Sequence, residues 1–196
     1  MIIYLVRHGD KEKLQGSPPL TNLGKIQANK TGQYFQKIKI DKIYASPLLR
    51  TKQTADIISS YLKINYETNE LLKERFNWGD IKNQTHTEFV DMWKKSSLVR
   101  NWKPPKGLSS EKAGNNLDTF LKSIDENIYK SIIVVSHGGI IADFLRNTFD
   151  DKTLNKVFPN FSEYYENLIL VCSITTLEKR NNIYNIVKIA DTNHLK

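Results

Sequence analysis

Apolar residues along this chain fall into short unbroken runs set between stretches of helical period. Ile2–Val6 is a continuous, β-branched-rich run and reads as a buried strand. DKEKLQGSPP follows, with the Gly and Pro punctuation of a loop. Thr21 or Asn22 can cap a helix running to about Lys37, with apolar positions at Leu23, Ile26, Ala28, Phe35 and Ile38. DKIYAS (41–46) is a second strand, Pro47 starts a helix through Leu62, and KINYET offers a short third strand. Between 70 and 110 the pattern is irregular. LLKERFNWGD is turn-rich and aromatic, Thr85 caps a helix over THTEFVDMWKKSSL, and KPPKG is a loop. Ser109 or Ser110 opens a helix to about Tyr129, with Leu117, Phe120, Leu121, Ile124 and Ile128 on one face. SIIVVS (131–136) is a fully apolar strand, followed by HGG and the helix IIADFLRNTF. ENLILVCSITTLEK and NIYNIVKIA, split by RNN, predict a hairpin.

Strands alternating with helices predict an α/β fold, a three-layer α/β/α sandwich with a largely parallel central sheet. No repeat, linker or low-complexity stretch interrupts it, so residues 1–196 are expected to form one domain, with 70–110 as a substrate-cap segment. The length allows a real hydrophobic core. No apolar run approaches the roughly 18 residues needed to cross a bilayer. MIIYLV is short for a secretory leader and has no basic residues before it. The expectation is a cytoplasmic protein with no membrane partner. The one cysteine, Cys172, excludes an intrachain disulfide and metal sites built on paired cysteines; within LILVCSI it reads as a buried structural thiol. The net charge of +8 comes from scattered lysines rather than a basic block. That spread fits a lysine-rich composition with no partner implied. A positive field also suits small anionic substrates, and nucleic acid fits it least.

Two apolar strands end alike. Ile2–Val6 runs into Arg7-His8-Gly9, and the strand SIIVVS runs into His137-Gly138-Gly139. In open α/β sheets, ligand sites lie beyond the carboxyl ends of strands, so both histidines are expected at one crevice. Gly138 and Gly139 open a helix, whose free N–H groups and dipole favour an anion. Arg50 stands one turn into the helix after the second strand, near the same edge. Two arginines, two histidines and a helix N-terminus make a pocket for a tetrahedral dianion such as a phosphoryl group. Clustered positive charge favours neutral imidazole, a competent nucleophile. Singly, each piece is as well explained by a solvated arginine or a turn histidine; together they are hard to obtain from structure alone.

LVRHGD, SPPLTNLGKIQA, YASPLLRTKQTA, VVSHGG and the tail ADTNHL resemble the histidine phosphatase superfamily, the phosphoglycerate mutase-like fold, in order over nearly the whole chain. The resemblance implies that His8 attacks phosphorus and becomes a phosphohistidine. Arg7, Arg50 and His137 would hold the phosphoryl oxygens, with the Gly138 N–H contributing. It implies no metal and no cofactor. Leu72-Lys73-Glu74-Arg75 resembles the family's Leu-x-Glu-Arg segment and makes Glu74 the expected acid for the leaving oxygen, with Asp10 as the alternative. Two departures stand out. Many relatives carry Trp-Asn a few residues after RHG; here that pair is missing, and Gln15 or Ser17 could replace the lost phosphate contact. After Glu74 the chain reads RFNWGD instead of a glycine-rich Trp-Glu-Gly.

His86 reads as a surface residue and His194 as structural. Trp78, Phe89, Trp93 and Trp102 could line a substrate cap or form the core of that segment, and the core reading is favoured. The function expected is a phosphomonoesterase acting on a small-molecule phosphate ester or a phosphoprotein. The alternatives are a cofactor-dependent phosphoglycerate mutase and an inactive binding domain on the same fold. Compactness favours hydrolysis over the mutase. The specific substrate and the oligomeric state are not legible.

Overall fold

The computed structural model describes residues 1–163 and 168–196. Its centre is a six-stranded sheet in the order β3-β2-β4-β1-β5-β6. The strands are β1 (Ile2–Arg7), β2 (Lys42–Ala45), β3 (Tyr66–Thr68), β4 (Ser131–Ser136), β5 (Ile174–Arg180) and β6 (Ile183–Asp191). β3, β2, β4 and β1 pair in parallel; β5 is antiparallel to β1 and forms the expected hairpin with β6. The predicted ENLILV extension of β5 is irregular from Leu168 to Ser173, and Glu166 and Asn167 lie outside the described residues. β4 lies between β1 and β2, with Ile132–Val135 paired on both sides, and this central place goes with its unbroken burial from Ser131 to Ser136.

Helices cover both faces. α1 (Asn22–Phe35) and α2 (Leu49–Leu62) pack together over one apolar layer that includes Val6, Ile43, Ile58, Ile133 and Val135. α4 (Ser110–Ser123) and α5 (Gly138–Thr148) pack over the other, around Leu5, Leu117, Leu121, Val134 and Phe144. α3 (His86–Leu98) belongs to the segment outside the sheet, and α6 (Asp151–Val157) follows α5. No helix among the described residues is long and apolar enough to cross a membrane.

The buried stripe of α1 differs from the expected one. Leu23 and Ile26 are each 56% exposed. The inner face is Gly24, Ala28, Thr31, Gly32 and Phe35. The reason is close approach: a Cβ on Gly32 would stand 2.4 Å from the Tyr61 ring, and one on Gly24 2.0 Å from the Asp10 carbonyl oxygen. Small residues admit the neighbours, so the large apolar ones face outward.

α4 also stops earlier than its apolar period implies, at Ser123, and Ile128 is exposed. The buried ammonium of Lys179 donates to the carbonyls of Leu121 (2.7 Å) and Ile124 (3.0 Å) and so satisfies the helix end from the neighbouring strand. Replacing Lys179 with Met leaves both carbonyls without this donor. Urea unfolding of Lys179→Met is expected to show a loss of about 2 kcal/mol; an unchanged midpoint would remove Lys179 from the capping of α4.

Candidate active site

The ends of β1 and β4 lie side by side, Arg7 opposite Ser136, and the His8 N–H donates to the Ser136 carbonyl at 3.0 Å. His8 and His137 therefore leave the sheet together, their ring centroids 5.3 Å apart. The Cys172 N–H donates to the carbonyls of Arg7 (3.0 Å) and His8 (3.2 Å), holding the strand end from the β5 side. Burial pushes the Cys172 thiol up to about 12, in keeping with a structural role. Gly9 passes so close to α1 that a Cβ there would stand 2.5 Å from the Gly24 carbonyl oxygen. Its N–H donates to Thr54 Oγ1 at 3.1 Å.

His8 is buried, and its Nδ1 lies 2.7 Å from the Gly9 carbonyl oxygen. A carbonyl only accepts, so Nδ1 carries the proton. In the neutral ring Nε2 then keeps its lone pair, toward which Arg50 Nε donates at 3.1 Å. Burial, then the charges of Arg50 and Arg7, hold the His8 ring well below the ordinary histidine range. His137 is held down by burial and by Arg50, His8 and Arg7. Its Nε2 lies 2.8 Å from Ser46 Oγ.

Arg50 comes from the first turn of α2, and burial lowers it to about 10. Arg7 is likewise lowered by burial; it donates to the Ile169 carbonyl and packs against Gly138, where a Cβ would stand 3.2 Å from its Nε. Arg7 Nε, Arg50 Nη1 and His137 Nδ1 are all buried without a hydrogen-bond partner. Arg7 and Arg50 line the same cavity as His8, so this end of it is cationic and suited to an anion with several acceptor oxygens.

Two N–H groups of the helix N-terminus are already occupied, while Gly138 stays in the cavity lining. The anion at α5 is the chain's own Glu74: Gly139 N–H donates to Oε2 and Ile140 N–H to Oε1, each at 3.0 Å, and Arg75 N–H donates to Oε1 at 3.1 Å. A Cβ on Gly139 would stand 2.5 Å from Glu74 Oε1, so this glycine makes room for the carboxylate. The helix thus anchors Glu74 at the edge of the site.

A cavity of about 320 Å³ opens here, lined by Arg7, His8, Arg50, Glu74 and Gly138. His137 lies outside its lining, with its ring against His8. Asp10, Gln15 and Ser17 are not in the lining either. The Asp10 carboxylate accepts from Thr21 Oγ1 at 2.8 Å, and Ser17 Oγ accepts from the Leu49 N–H at 2.7 Å, at the start of α2. Gln15 is exposed and packs near Gly79. Trp78, Phe89 and Trp93 line the cavity half-buried instead of forming a core, whose place is taken by the buried Phe76. Trp102 stands apart under Lys95. His86 is exposed at the rim, and His194 meets Thr31 Oγ1 at 3.1 Å.

Residues 3–192 match the histidine phosphatase superfamily (branch 1). The chain belongs to this superfamily. "Putative phosphoserine phosphatase 2" of Hydrogenobacter thermophilus is 30% identical over 153 residues, covering 71% of this chain and 74% of that protein. "Probable phosphoglycerate mutase GpmB" of Yersinia pestis is 30% identical over 149 residues, covering 69% of each. The crystal structure of a phosphoserine phosphatase mutant of Entamoeba histolytica with phosphoserine superposes with a TM-score of 0.72 at 25% identity, over 100% of this chain and 99% of that one.

Relative to this superfamily's pattern, three features of the site escaped sequence reasoning. Asn77 accepts from Arg50 Nη2 at 2.9 Å and orients it; it sits in the divergent RFNWGD stretch, where its proximity to Glu74 was the only signal. Arg75 is buried and ion-paired to Asp143 of α5, Nε to Oδ2 2.7 Å. Burial raises Asp143 while Arg75 pulls it back. Lys11 and Lys13 of the loop after His8 reach the cavity, signalled only by position. Among the described residues no group of three or more His, Cys, Asp or Glu is placed to hold a metal ion.

Both buried histidines have a pH consequence. Their folded values lie below the unfolded one, so the unfolded chain binds more protons under about pH 6.5. Stability is full above that pH and falls as the pH drops, by up to about 1.4 kcal/mol per pH unit for each histidine. Urea unfolding between pH 7.5 and 5 is expected to show this fall, shallower in His137→Gln; equal slopes would mean that His137 is not buried neutral.

Proposed function

We propose that the chain is a phosphomonoesterase that works through a phosphohistidine on His8. The observation that carries this is the locked tautomer: Nδ1–H on the Gly9 carbonyl leaves Nε2 as the lone pair, ringed by Arg7, Arg50 and His137. In the first step Nε2 bonds to phosphorus and the ester P–O bond breaks. Glu74 takes up a proton when the phosphate dianion binds beside it and gives that proton to the departing oxygen. Arg7 and Arg50, which line the cavity, take the equatorial oxygens, and His137 joins them once the bound phosphoryl group draws its ring to it. In the second step Glu74 takes a proton from water, the water oxygen bonds to phosphorus, and the N–P bond breaks to return neutral His8. The balance closes without a metal or a cofactor. The substrate class is small phosphate esters. The relatives named for phosphoserine and phosphoglycerate chemistry support that class.

Wild type is expected to release phosphate from p-nitrophenyl phosphate with EDTA present, and His8→Ala to lose about 10³-fold or more in kcat. Turnover by pure His8→Ala protein near the wild-type rate would remove His8 as the nucleophile. Loss of wild-type turnover in EDTA would show a metal requirement. Interconversion of phosphoglycerate isomers in place of hydrolysis would indicate the mutase.

Glu74→Gln separates the acid from the anchor. With alkyl phosphates, whose alkoxides need a proton, kcat is expected to fall about 10²-fold. With p-nitrophenyl phosphate the loss in the first step is expected to be much smaller. Equal losses with both esters, measured in single turnover, would place the acid elsewhere.

A further inference from the structure

We propose that the organic half of the cavity receives a flat aromatic group, so that the preferred substrates are phosphate monoesters of alcohols carrying an aromatic ring. This deepens the phosphomonoesterase reading and rests on it for the chemical step. Beside the phosphoryl-holding residues, one wall is a continuous series of rings. Trp78 meets His86 edge-on at 5.1 Å, His86 meets Phe89 at 6.3 Å, and Phe89 meets Trp93 at 6.0 Å. All four line the cavity. The series begins at the acid: the Trp93 ring lies 2.7 Å from where a Gly139 Cβ would stand, the same point that is 2.5 Å from Glu74 Oε1. An alcohol leaving from beside Glu74 therefore meets Trp93 first.

The rings are held from behind. Phe76 is buried and packs edge-on to Phe89 (5.9 Å) and Trp93 (5.3 Å), and the Arg75 guanidinium lies over the Trp93 ring at 4.2 Å. A wall already fixed by its own packing loses little freedom when a ligand ring settles on it. Ala142, Leu168 and Ile169 complete the lining with apolar surface. A small acidic alcohol such as serine would need a cation on this side. Arg75, the cation in the ring wall, is ion-paired to Asp143. Lys11 and Lys13 belong to the loop after His8, and Lys11 interacts electrostatically with Arg7 and Arg50, at the phosphoryl end. The wall beside Glu74 is built for stacking, and the cation within it, Arg75, is already neutralised by Asp143.

Non-hydrolysable phosphonates test this without turnover. By titration calorimetry, 2-phenylethylphosphonate is expected to bind about tenfold or more tightly than ethylphosphonate and than 2-amino-4-phosphonobutanoate, the isosteric phosphoserine analogue. Phe89→Ala should bring the aromatic-to-ethyl ratio close to one, and the exposed His86→Ala should reduce it without risk to the fold. Equal binding of the phenylethyl and ethyl compounds, tightest binding of the amino acid, or a ratio unmoved in both variants would overturn the proposal. Hydrolysis of 2-phenylethyl phosphate is read separately. The predicted phosphonate ranking without any hydrolysis would sustain the aromatic site and refute the phosphatase reading.

Discussion

Two parallel strands that are neighbours in the sheet end at one level, and the rest of the site depends on that register. With Arg7 opposite Ser136, the next residues of both chains, His8 and His137, must emerge together. Arg50 is then buried and Arg7 half-buried beside two imidazoles. Four groups able to carry positive charge in one dry place cannot all be charged, so the imidazoles are neutral and the guanidiniums keep donors unpaired. Burying a donor without a partner costs free energy, and the packed layers on both sides of the sheet hold it there.

Glu74 is placed by a different device. Helix N-termini bind anions, and here the nearest anion is the protein's own carboxylate, gripped by the N–H groups of Gly139, Ile140 and Arg75. Gly138 and Gly139 thereby have separate reasons to lack side chains. The first admits Arg7 and the second admits Glu74. Behind Glu74, the buried Arg75–Asp143 pair ties the segment carrying the carboxylate to the helix that anchors it. Such a pair contributes little net stability in a core, and its effect is on geometry.

The segment from 70 to 110 hangs outside the sheet and closes on itself. The Leu108 N–H donates to the Arg75 carbonyl at 2.9 Å, next to Gly107 with its φ of +93°. Between these ends, α3 begins at Thr85 with a reciprocal Thr85–Glu88 capping box. Its Phe89 and Trp93 line the same cavity as Arg7, His8 and Arg50. Changes in this segment can therefore reshape the organic half of the cavity while β1 and β4 keep the other half fixed.

The sequence by itself determined the order of the strands and of every helix but α6, the largely parallel sheet, and the meeting of Arg7, His8, Arg50 and His137. Each of these rests on local signals: unbroken apolar runs, caps, and polar residues placed abruptly at strand ends. It also placed Glu74 at the site, through a short motif. What only the tertiary structure decided depends on backbones meeting across long distances in the chain. The inner face of α1 follows from close approaches that no apolar period records, which is why Leu23 and Ile26 turned outward. Ser17 is occupied by the start of α2, and Asn77 reaches Arg50, because of where two loops cross. The rings of Trp78, Phe89 and Trp93 read in one dimension as core, since hydrophobicity is the same whether a ring is covered by protein or borders a cavity. Only the path of the chain around Phe76 distinguished the two.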